Sequence, residues 1–367
     1  MLPLEEAIRS KLVPALTEYH IVNDAERDLL SLPVRYGGLG LINPSDVANI
    51  EFENSMTLTA ELRSKITGNS SLIDNEHARR STKNKREQNY TEKLDLARNG
   101  ISSGQLKLHE INQMPGASAW LSAMPLVENN FWLSKREFWD AVRLRYKWEL
   151  KKTPSHCACG HSFDVTHALS CPLGGLVILR HNEIRDITAE LLTEVCKDVR
   201  KEPPLEQLSG ENFPNRSANR TDEARLDVSA TGLWVPYQKA FLDVRVFNPS
   251  AKKYRTIDQA FIMNEREKKN EYCQRVLQIE NGTFNPLVFS INGGMGKECA
   301  AVYKRIAQMM ADKRESTSYS DCITFIRTRL SFAVLRSAMR CIRGSRKLNN
   351  RVPIDEQDIS LVMESCD

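Results

Sequence analysis

Three cysteines and one histidine near the middle of the chain have the residue types and the spacing of a metal site. The pattern C-x-C-x7-H-x3-C comprises Cys157, Cys159, His167 and Cys171. Three thiolates and an imidazole satisfy the tetrahedral coordination that zinc prefers, and His167 and Cys171 would share one face of a helix. His156 and His161 stay open as substitute ligands. We therefore predict a zinc site here rather than free thiols.

Two aspartates inside apolar runs are the second group that could do chemistry. In the run ARLDVSA, apolar and polar residues alternate, so Asp227 points away from the apolar side of a half-buried strand. In the run KAFLDVRVF, Asp243 and Arg245 share one face. An unpaired charge in so apolar a run costs roughly 1–3 kcal/mol. A salt bridge from Asp243 to Arg245 or Arg225 would compensate for it, and so would a bound metal ion.

The elements around the two aspartates follow the order helix, three strands, helix, strand. An apolar stripe at helical spacing predicts an amphipathic helix over residues 180–199, and the prolines of residues 199–208 favour a short edge strand. A long helix over residues 257–280 ends at Asn281-Gly282, which is typical of a C-cap. The run PLVFSI then predicts a buried strand. This order places the aspartates on the second and third strands.

This arrangement resembles the core of PD-(D/E)xK restriction-like nucleases, in particular the endonuclease at the C-terminus of site-specific non-LTR retrotransposon polyproteins. A CCHC zinc knuckle precedes the endonuclease in that family, and a segment like Arg180-His181-Asn182 directly follows the knuckle. The run SLPVRYGGLGLINPSDVANIEFENS resembles the thumb segment that follows a reverse-transcriptase palm. No Tyr-x-Asp-Asp motif is present, so we expect no polymerase active site in this chain.

The expected fold class is α+β or α/β, with a helical N-terminal part, a small zinc knuckle, and an αβββαβ core followed by C-terminal helices. The resemblance divides the chain into six segments. They are a thumb-like helical segment (1–66), a charged linker or helix (67–116), an aromatic-rich connector (117–155), the CCHC knuckle (156–174), the endonuclease domain (175–346) and a polar tail (347–367).

The resemblance implies a metal-dependent active site built on the two aspartates. Asp227 and Asp243 would hold one or two Mg²⁺ or Mn²⁺ ions that activate water and stabilise the leaving 3′ oxygen. Arg245 stands where the family pattern has a lysine, and arginine stays protonated and cannot act as a base. A lysine on the following helix would replace it. Lys268 and Lys269 both fall close to the apolar stripe of that helix, and Lys269, nearer its centre, is the predicted residue.

A third carboxylate is expected on the helix that precedes the strands. Glu183, Glu190 and Glu194 lie within a narrow angular band at about 100° per residue. Glu194 is nearest the apolar stripe, so it is the predicted member of the site. Glu183 and Glu190 are as readily explained as solvated surface residues.

Arginines are the predicted contacts to the phosphate backbone of double-stranded DNA. The net charge of +4, from 51 basic and 47 acidic residues, does not by itself indicate a nucleic-acid binder. The arginine-rich final helix, residues 323–344, and an Asn/Ser/Arg-rich loop before Asp227 suit phosphate contacts. The predicted DNA contacts are Arg180, Arg216, Arg220, Arg327, Arg336, Arg340 and Arg343.

The function implied by the resemblance is a retroelement endonuclease that nicks target DNA to prime reverse transcription. Zn²⁺ would be structural, and Mg²⁺ or Mn²⁺ would be catalytic. The partners would be double-stranded DNA and element RNA, and the protein would act in the nucleus. Nine cysteines without a signal peptide indicate a reducing compartment, and no apolar run approaches the ~20 residues that span a membrane. Two alternatives stay open: a catalytically inactive DNA-binding remnant, which Arg245 favours, and a Holliday-junction resolvase-like nuclease, which does not explain the knuckle.

Overall fold

A computed structural model describes residues 2–68, 75–206, 224–251 and 253–344. Within these residues the protein is mixed α+β, with many helices and one four-stranded sheet. This agrees with the α+β part of the expected fold class. The polar tail, residues 347–367, lies outside the described residues. No helix in the described ranges is both long and apolar enough to cross a membrane.

Helices form the N-terminal part of the protein, including most of the predicted charged linker. They are α1 (Leu2–Ala7), a π-helix (Ile8–Leu12), α2 (Val13–Leu16), α3 (Asp24–Ser31), a 3-10 helix (Val34–Tyr36), α4 (Pro44–Leu58), α5 (Ala60–Thr67), α6 (Asn75–Asn99) and α7 (Ser103–Asn112). Helix α4 begins at Pro44, because the fixed φ of proline suits the first helical position, and Asn43 caps it by accepting the Ser45 N–H.

The glycine cluster between α3 and α4 forms a tight turn. Gly37 has φ +82°, and a Cβ there would lie 2.5 Å from Nε2 of His109. A Cβ on Gly38 would lie 1.9 Å from the carbonyl oxygen of Leu32. Glycine is required at both positions because the backbone passes too close to its neighbours for any side chain.

Three helices connect this part to the sheet: α8 (Ala119–Ser122), α9 (Lys135–Tyr146) and α10 (Val165–Ala168). Helix α9 begins after Ser134 because Ser134 and Glu137 form a reciprocal capping box. Aromatic residues of the connector pack with α3, α6 and α9 in one apolar cluster that includes Trp120, Phe131, Tyr146 and Trp148.

The remaining elements follow the predicted order of helix, three strands, helix and strand. They are α11 (Leu176–Val195), β1 (Lys197–Lys201), β2 (Val228–Thr231), β3 (Lys239–Phe247), α12 (Ile257–Gln278), β4 (Thr283–Ser290), α13 (Lys297–Lys313) and α14 (Tyr319–Arg343). The sheet order is β1-β2-β3-β4. Strands β1, β2 and β3 pair antiparallel, and β4 pairs parallel to β3, with α12 as the crossover.

Two boundaries differ from the sequence prediction in ways that affect the site. The edge strand β1 covers residues 197–201 rather than 199–208, because the chain turns at Glu202, which has φ +51°. Strand β2 begins at Val228, so Asp227 precedes the strand instead of lying within it. The Asp227 side chain is therefore free of the strict alternation that the sequence pattern implied.

The two faces of β3 contact different helices. Leu242 and Val244 belong to the main apolar core, which α11, α13 and α14 complete. Phe241 and Phe247 belong to smaller clusters that include residues of α12. Since side chains alternate along a strand, Asp243 lies on the α12 side of the sheet.

Helix α14 contributes to three separate cores. Ile326 and Leu330 pack in the main core against the sheet. Phe332 packs with the N-terminal aromatic cluster. Cys341 and Ile342 pack with Leu169 and other residues of the Cys/His segment. This single helix therefore joins the N-terminal helices, the Cys/His segment and the sheet.

Candidate functional site

The predicted zinc ligands come together in space. The ligand atoms of Cys157, Cys159, His167 and Cys171 all lie within 4.8 Å of one another. Cys157 Sγ is 3.8 Å from Cys171 Sγ, which is the separation expected of two thiolates on a tetrahedral zinc with bonds of about 2.3 Å. Cys159 Sγ lies 3.2 Å from His167 Nε2. The four residues could thus bind zinc.

Local backbone hydrogen bonds shape this cluster. The Cys157 N–H donates to the carbonyl of His161, and the Gly160 N–H donates back to Cys157, which makes a tight turn between the first two thiols. Asp164 caps the short helix α10 by accepting the His167 N–H. The Cys171 N–H donates to the carbonyl of His167, so the last two ligands share one helical turn as predicted.

The substitute ligands lie at the margin of the cluster. His161 Nδ1 is 3.4 Å from Cys159 Sγ, and its ring stacks on that of His167. His156 Nδ1 contacts Ser155 Oγ instead. The backbone N–H of Cys159 lowers the pKa of the Cys157 thiol to about 6 against the opposing effect of burial. A thiol of low pKa is already close to the thiolate form that binds metal.

The second group of site residues lies where β3 faces α12. Asp243 is only 5% exposed, and its Oδ2 is 2.9 Å from Nζ of Lys268 in an ion pair. Among the described residues, no group donates a hydrogen bond of ordinary geometry to this Oδ2. Lys268 also lies 3.6 Å from Glu271 and over the ring of Tyr272. A buried carboxylate oxygen held only by an ion pair is a suitable ligand for a cation.

Asp227 reaches the same region from the residue before β2. Its Oδ2 accepts the Val244 N–H at 2.6 Å and lies 3.1 Å from Nε2 of His181 on α11. The same His181 nitrogen lies 3.1 Å from the Val244 carbonyl oxygen. Asp227, Asp243, His181 and Lys268 thereby form one polar group where the start of β2 lies beside the middle of β3, which we call the acidic site.

The electrostatics of the acidic site show that these groups act on each other. Burial and the neighbouring charge of Asp227 raise the pKa of Asp243 to about 6, although Lys268 opposes the shift. Burial disfavours the charged form of His181, but the hydrogen bond and charge of Asp227 outweigh it and raise its pKa. Burial likewise opposes the charge on Lys268, and Asp243 outweighs it, so that pKa is raised too.

Two predicted members of the site lie elsewhere. Lys269 forms its ion pair with Glu298 at the start of α13, at 2.5 Å, and it is Lys268 that meets Asp243. Arg245 lies on the same face of β3 as Asp243, but its guanidinium pairs with Glu267 at 3.2 Å. The lysine that lies at Asp243 is thus the neighbour of the predicted one, a rotation of about 100° on the helix.

The predicted third carboxylate is at the wrong end of α11. Glu194 is separated from His181 by 13 residues, or roughly 20 Å of helix, and pairs with Arg314. Glu183 accepts hydrogen bonds from Ser337 and Arg340, and Glu190 pairs with Arg329. All three glutamates thus bind groups on or near α14, because α11 turns this side toward that helix.

Most predicted DNA contacts on the described residues are occupied within the fold. Arg180 is 4% exposed and donates to the carbonyl of Leu169, so it ties α11 to the Cys/His segment and cannot reach a phosphate. Arg343 forms two hydrogen bonds with buried Asp140, at 2.6 and 2.8 Å. Both guanidiniums satisfy buried acceptors within the fold, which is the opposite of the exposed position that was predicted for them.

The other predicted arginines are more accessible. Arg340 is exposed but pairs with Glu183 at 2.7 Å. Arg336 donates to the carbonyl of Trp132 and lies over the ring of Phe332, and Arg327 is half-buried. Arg216 and Arg220 lie outside the described residues. The positive charge of α14 is therefore largely compensated, and DNA contact by Arg327, Arg336 or Arg340 stays a prediction.

His181 is the site residue that the sequence prediction did not include. It precedes Ile184 by three residues and Thr188 by seven, and both of those residues are fully buried. His181 therefore extends the inward stripe of α11 to its beginning. A polar residue on that stripe was the signal that could have found it.

No protein-family model matches this chain, and no curated protein matches its sequence.

Proposed function

We propose that this chain is a metal-dependent DNA endonuclease module of the non-LTR retrotransposon type, with a restriction-like core and a structural zinc knuckle. The observation that carries the proposal is the acidic site, where two carboxylates and a lysine lie together beside β3 of a mixed sheet. A carboxylate pair with a nearby lysine is the set of groups that metal-assisted hydrolysis of a phosphodiester uses. The element order around it supports the same class.

In this proposal the carboxylates of the acidic site would hold a divalent cation. Asp227 and Asp243 offer carboxylate oxygens. The Val244 carbonyl oxygen is a further possible ligand, because it and Asp227 Oδ2 both lie 3.1 Å from His181 Nε2. Oxygen ligands of this kind suit Mg²⁺ and Mn²⁺. A bound ion of this class would activate a water molecule and stabilise the leaving 3′ oxygen.

The residues around the carboxylates would orient the substrate. Lys268 places a compact positive charge 2.9 Å from Asp243, where it would stabilise charge developing on the phosphate. The Val244 N–H fixes Asp227 Oδ2 in position. Arg245, exposed at its tip, pairs with Glu267 and would remain available to a phosphate outside the site.

The position of Lys268 bears on the catalytically inactive alternative. The main reason for that alternative was the absence of a lysine at the position of Arg245. Because Lys268 brings an ammonium group to Asp243 from α12, a lysine is present at the carboxylates. This favours the active nuclease over a remnant that only binds DNA.

The biological role is part of the same proposal. A nick by this module would supply the 3′-hydroxyl from which reverse transcription starts, with target DNA and element RNA as partners, in the nucleus. This role rests on the resemblance of the Cys/His segment, the Arg180-His181-Asn182 sequence and the thumb-like segment.

The test is nicking of supercoiled plasmid DNA by the full chain with Mg²⁺ or Mn²⁺. Asp243→Asn is expected to lower the rate by roughly 100-fold or more while DNA binding is kept or strengthened, since a charge near phosphate is removed. Asp312→Asn, on the exposed side of α13, is the matched control.

Three outcomes would change the conclusion. Wild-type protein that binds DNA but cuts it with neither ion would favour the inactive remnant. Cleavage that survives both Asp227→Asn and Asp243→Asn would place the active site elsewhere. Strong preference for cruciform over linear duplex DNA would favour a Holliday-junction resolvase.

A further inference from the structure

His181 stands between two oxygen atoms of the acidic site. Its Nε2 lies 3.1 Å from Asp227 Oδ2 and 3.1 Å from the Val244 carbonyl oxygen. A carbonyl oxygen can only accept a hydrogen bond, so Nε2 carries a hydrogen in this state. The Val244 N–H holds the same Asp227 oxygen at 2.6 Å. Two oxygen atoms that could bind a metal ion therefore lie at the same distance from one imidazole nitrogen.

The spacing of these atoms matches adjacent ligands on a metal ion. In octahedral coordination with bonds of about 2.1 Å, neighbouring ligand atoms lie about 3.0 Å apart. Both distances from His181 Nε2 are 3.1 Å. An ion bound to Asp227 and the Val244 carbonyl would thus lie within bonding reach of the imidazole.

We propose that His181 is a direct ligand of the cation at the acidic site and makes that site selective for Mn²⁺-like transition ions over Mg²⁺. This inference rests on the proposed placement of a divalent ion at Asp227. Imidazole is a good ligand for transition ions, whereas Mg²⁺ is bound almost entirely through oxygen. When the ion binds, the imidazolium of His181 loses its Nε2 hydrogen to solvent as a proton and keeps its Nδ1 hydrogen, so that the neutral imidazole offers the Nε2 lone pair to the metal.

The surroundings of His181 suit a ligand. Its other ring nitrogen, Nδ1, lies 3.4 Å from the side-chain oxygen of Asn182, which can hold the ring as partners of metal-bound histidines do. The His181 side chain is 33% exposed and that of Asp227 is 15% exposed. The site is thus open on one side, where water or a phosphate oxygen can complete the coordination.

The test is direct metal binding by the full chain. Mn²⁺ binding is measured from the electron paramagnetic resonance signal of free Mn²⁺, and Mg²⁺ binding is measured by its competition with Mn²⁺. We expect wild-type protein to bind Mn²⁺ at least about 10-fold more tightly than Mg²⁺. His181→Ala should weaken Mn²⁺ binding by about 10-fold or more and leave Mg²⁺ binding within about 2-fold. His77→Ala, on an exposed face of α6, should change neither.

A second variant separates ligation from structural support. His181→Gln keeps an N–H group that can donate to Asp227 and Val244 but offers no imidazole, so it should lose the Mn²⁺ preference as fully as His181→Ala. Thermal unfolding of each variant establishes that it is folded. If His181→Gln keeps the wild-type Mn²⁺ affinity, His181 is not a ligand.

The outcomes distinguish this inference from the proposed function. Mn²⁺ binding that needs His181 and Asp227, in a protein that never nicks DNA, would support the ligand and refute the nuclease. Unchanged affinities in His181→Ala would refute the inference that His181 is a ligand. Tighter binding of both ions by His181→Ala would also refute it, because it would mean that the imidazole blocks the site. Wild-type protein that binds neither ion would refute it as well.

Discussion

Nζ of Lys268 lies 2.9 Å from Oδ2 of Asp243, and both residues are almost fully buried. The contact fixes α12 against β3. Among the ion pairs of the described residues, Lys268 is the only cationic partner of Asp243. Each partner shifts the other toward the charged form, while burial favours the neutral forms. The pair therefore couples the stability of the sheet to the chemistry of the acidic site.

Replacement of this lysine should affect both properties. Lys268→Met is expected to lower plasmid nicking by about 100-fold, since charge stabilisation is lost, and to lower the free energy of unfolding by roughly 1–3 kcal/mol because Asp243 loses its partner. Lys269→Met removes only a half-exposed pair with Glu298 and serves as the control. Equal nicking rates in the two variants would show that Lys268 has no special role.

The ionisation of Asp243 should make stability depend on pH. Its pKa in the folded state, about 6, exceeds the ordinary 3.8, so the folded protein binds this proton more tightly than the unfolded chain does. The contribution of Asp243 to stability should therefore fall as the pH rises from about 4 to about 6 and stay low above that range.

Urea unfolding of wild-type protein and Asp243→Asn at several pH values checks this expectation. The asparagine cannot ionise, so the pH dependence that Asp243 contributes is absent from this variant. The free energy of unfolding of the wild type, relative to that of Asp243→Asn, should thus fall as the pH rises. A difference that stays flat between pH 4 and 6 would contradict the raised pKa.

The Cys/His cluster should hold one zinc ion per chain. Metal analysis of protein purified without chelators should find about one zinc, and Cys171→Ser should reduce it, because three ligands bind zinc more weakly than four. Cys273→Ser, outside the cluster, should leave the zinc content unchanged. Folded protein that contains no zinc and whose Cys157, Cys159 and Cys171 react freely with a thiol reagent would exclude the site.

Arg343 should contribute to stability and not to DNA affinity. Arg343→Ala removes two hydrogen bonds to buried Asp140, and we expect a loss of roughly 2–4 kcal/mol in the free energy of unfolding. Arg340→Ala breaks only an exposed pair and should cost less than about 1 kcal/mol. The salt dependence of DNA binding should be the same for Arg343→Ala and wild type. A reduced slope would return Arg343 to the DNA contacts.

The parts of the fold that local patterns determine were predictable from the sequence. Strand β3 and the start of α12 fall where the apolar runs and the cap at Thr256 indicate. The convergence of Cys157 and Cys171 also followed, since both lie within one short segment of regular ligand spacing. In each case the determining interactions join residues close in the chain.

The details of the acidic site depended on contacts distant in sequence. A helical pattern places Lys268 and Lys269 near the same stripe, and only the packing of α12 on β3 decides which of them meets Asp243. The pairing of Arg343 with Asp140, 203 residues earlier, has no local signal at all. Arginine density alone could not distinguish a DNA surface from a helix whose charges are satisfied within the fold.

The position of α14 also has a consequence for synthesis of the protein. This helix completes three apolar cores, yet it follows every other described element along the chain. None of the three cores can therefore pack fully until α14 has emerged from the ribosome. Chains that stop before residue 319 would expose apolar surface on the N-terminal helices, the Cys/His segment and the sheet together. Such products would be prone to aggregation and degradation, because all three surfaces are covered by α14 in the complete fold.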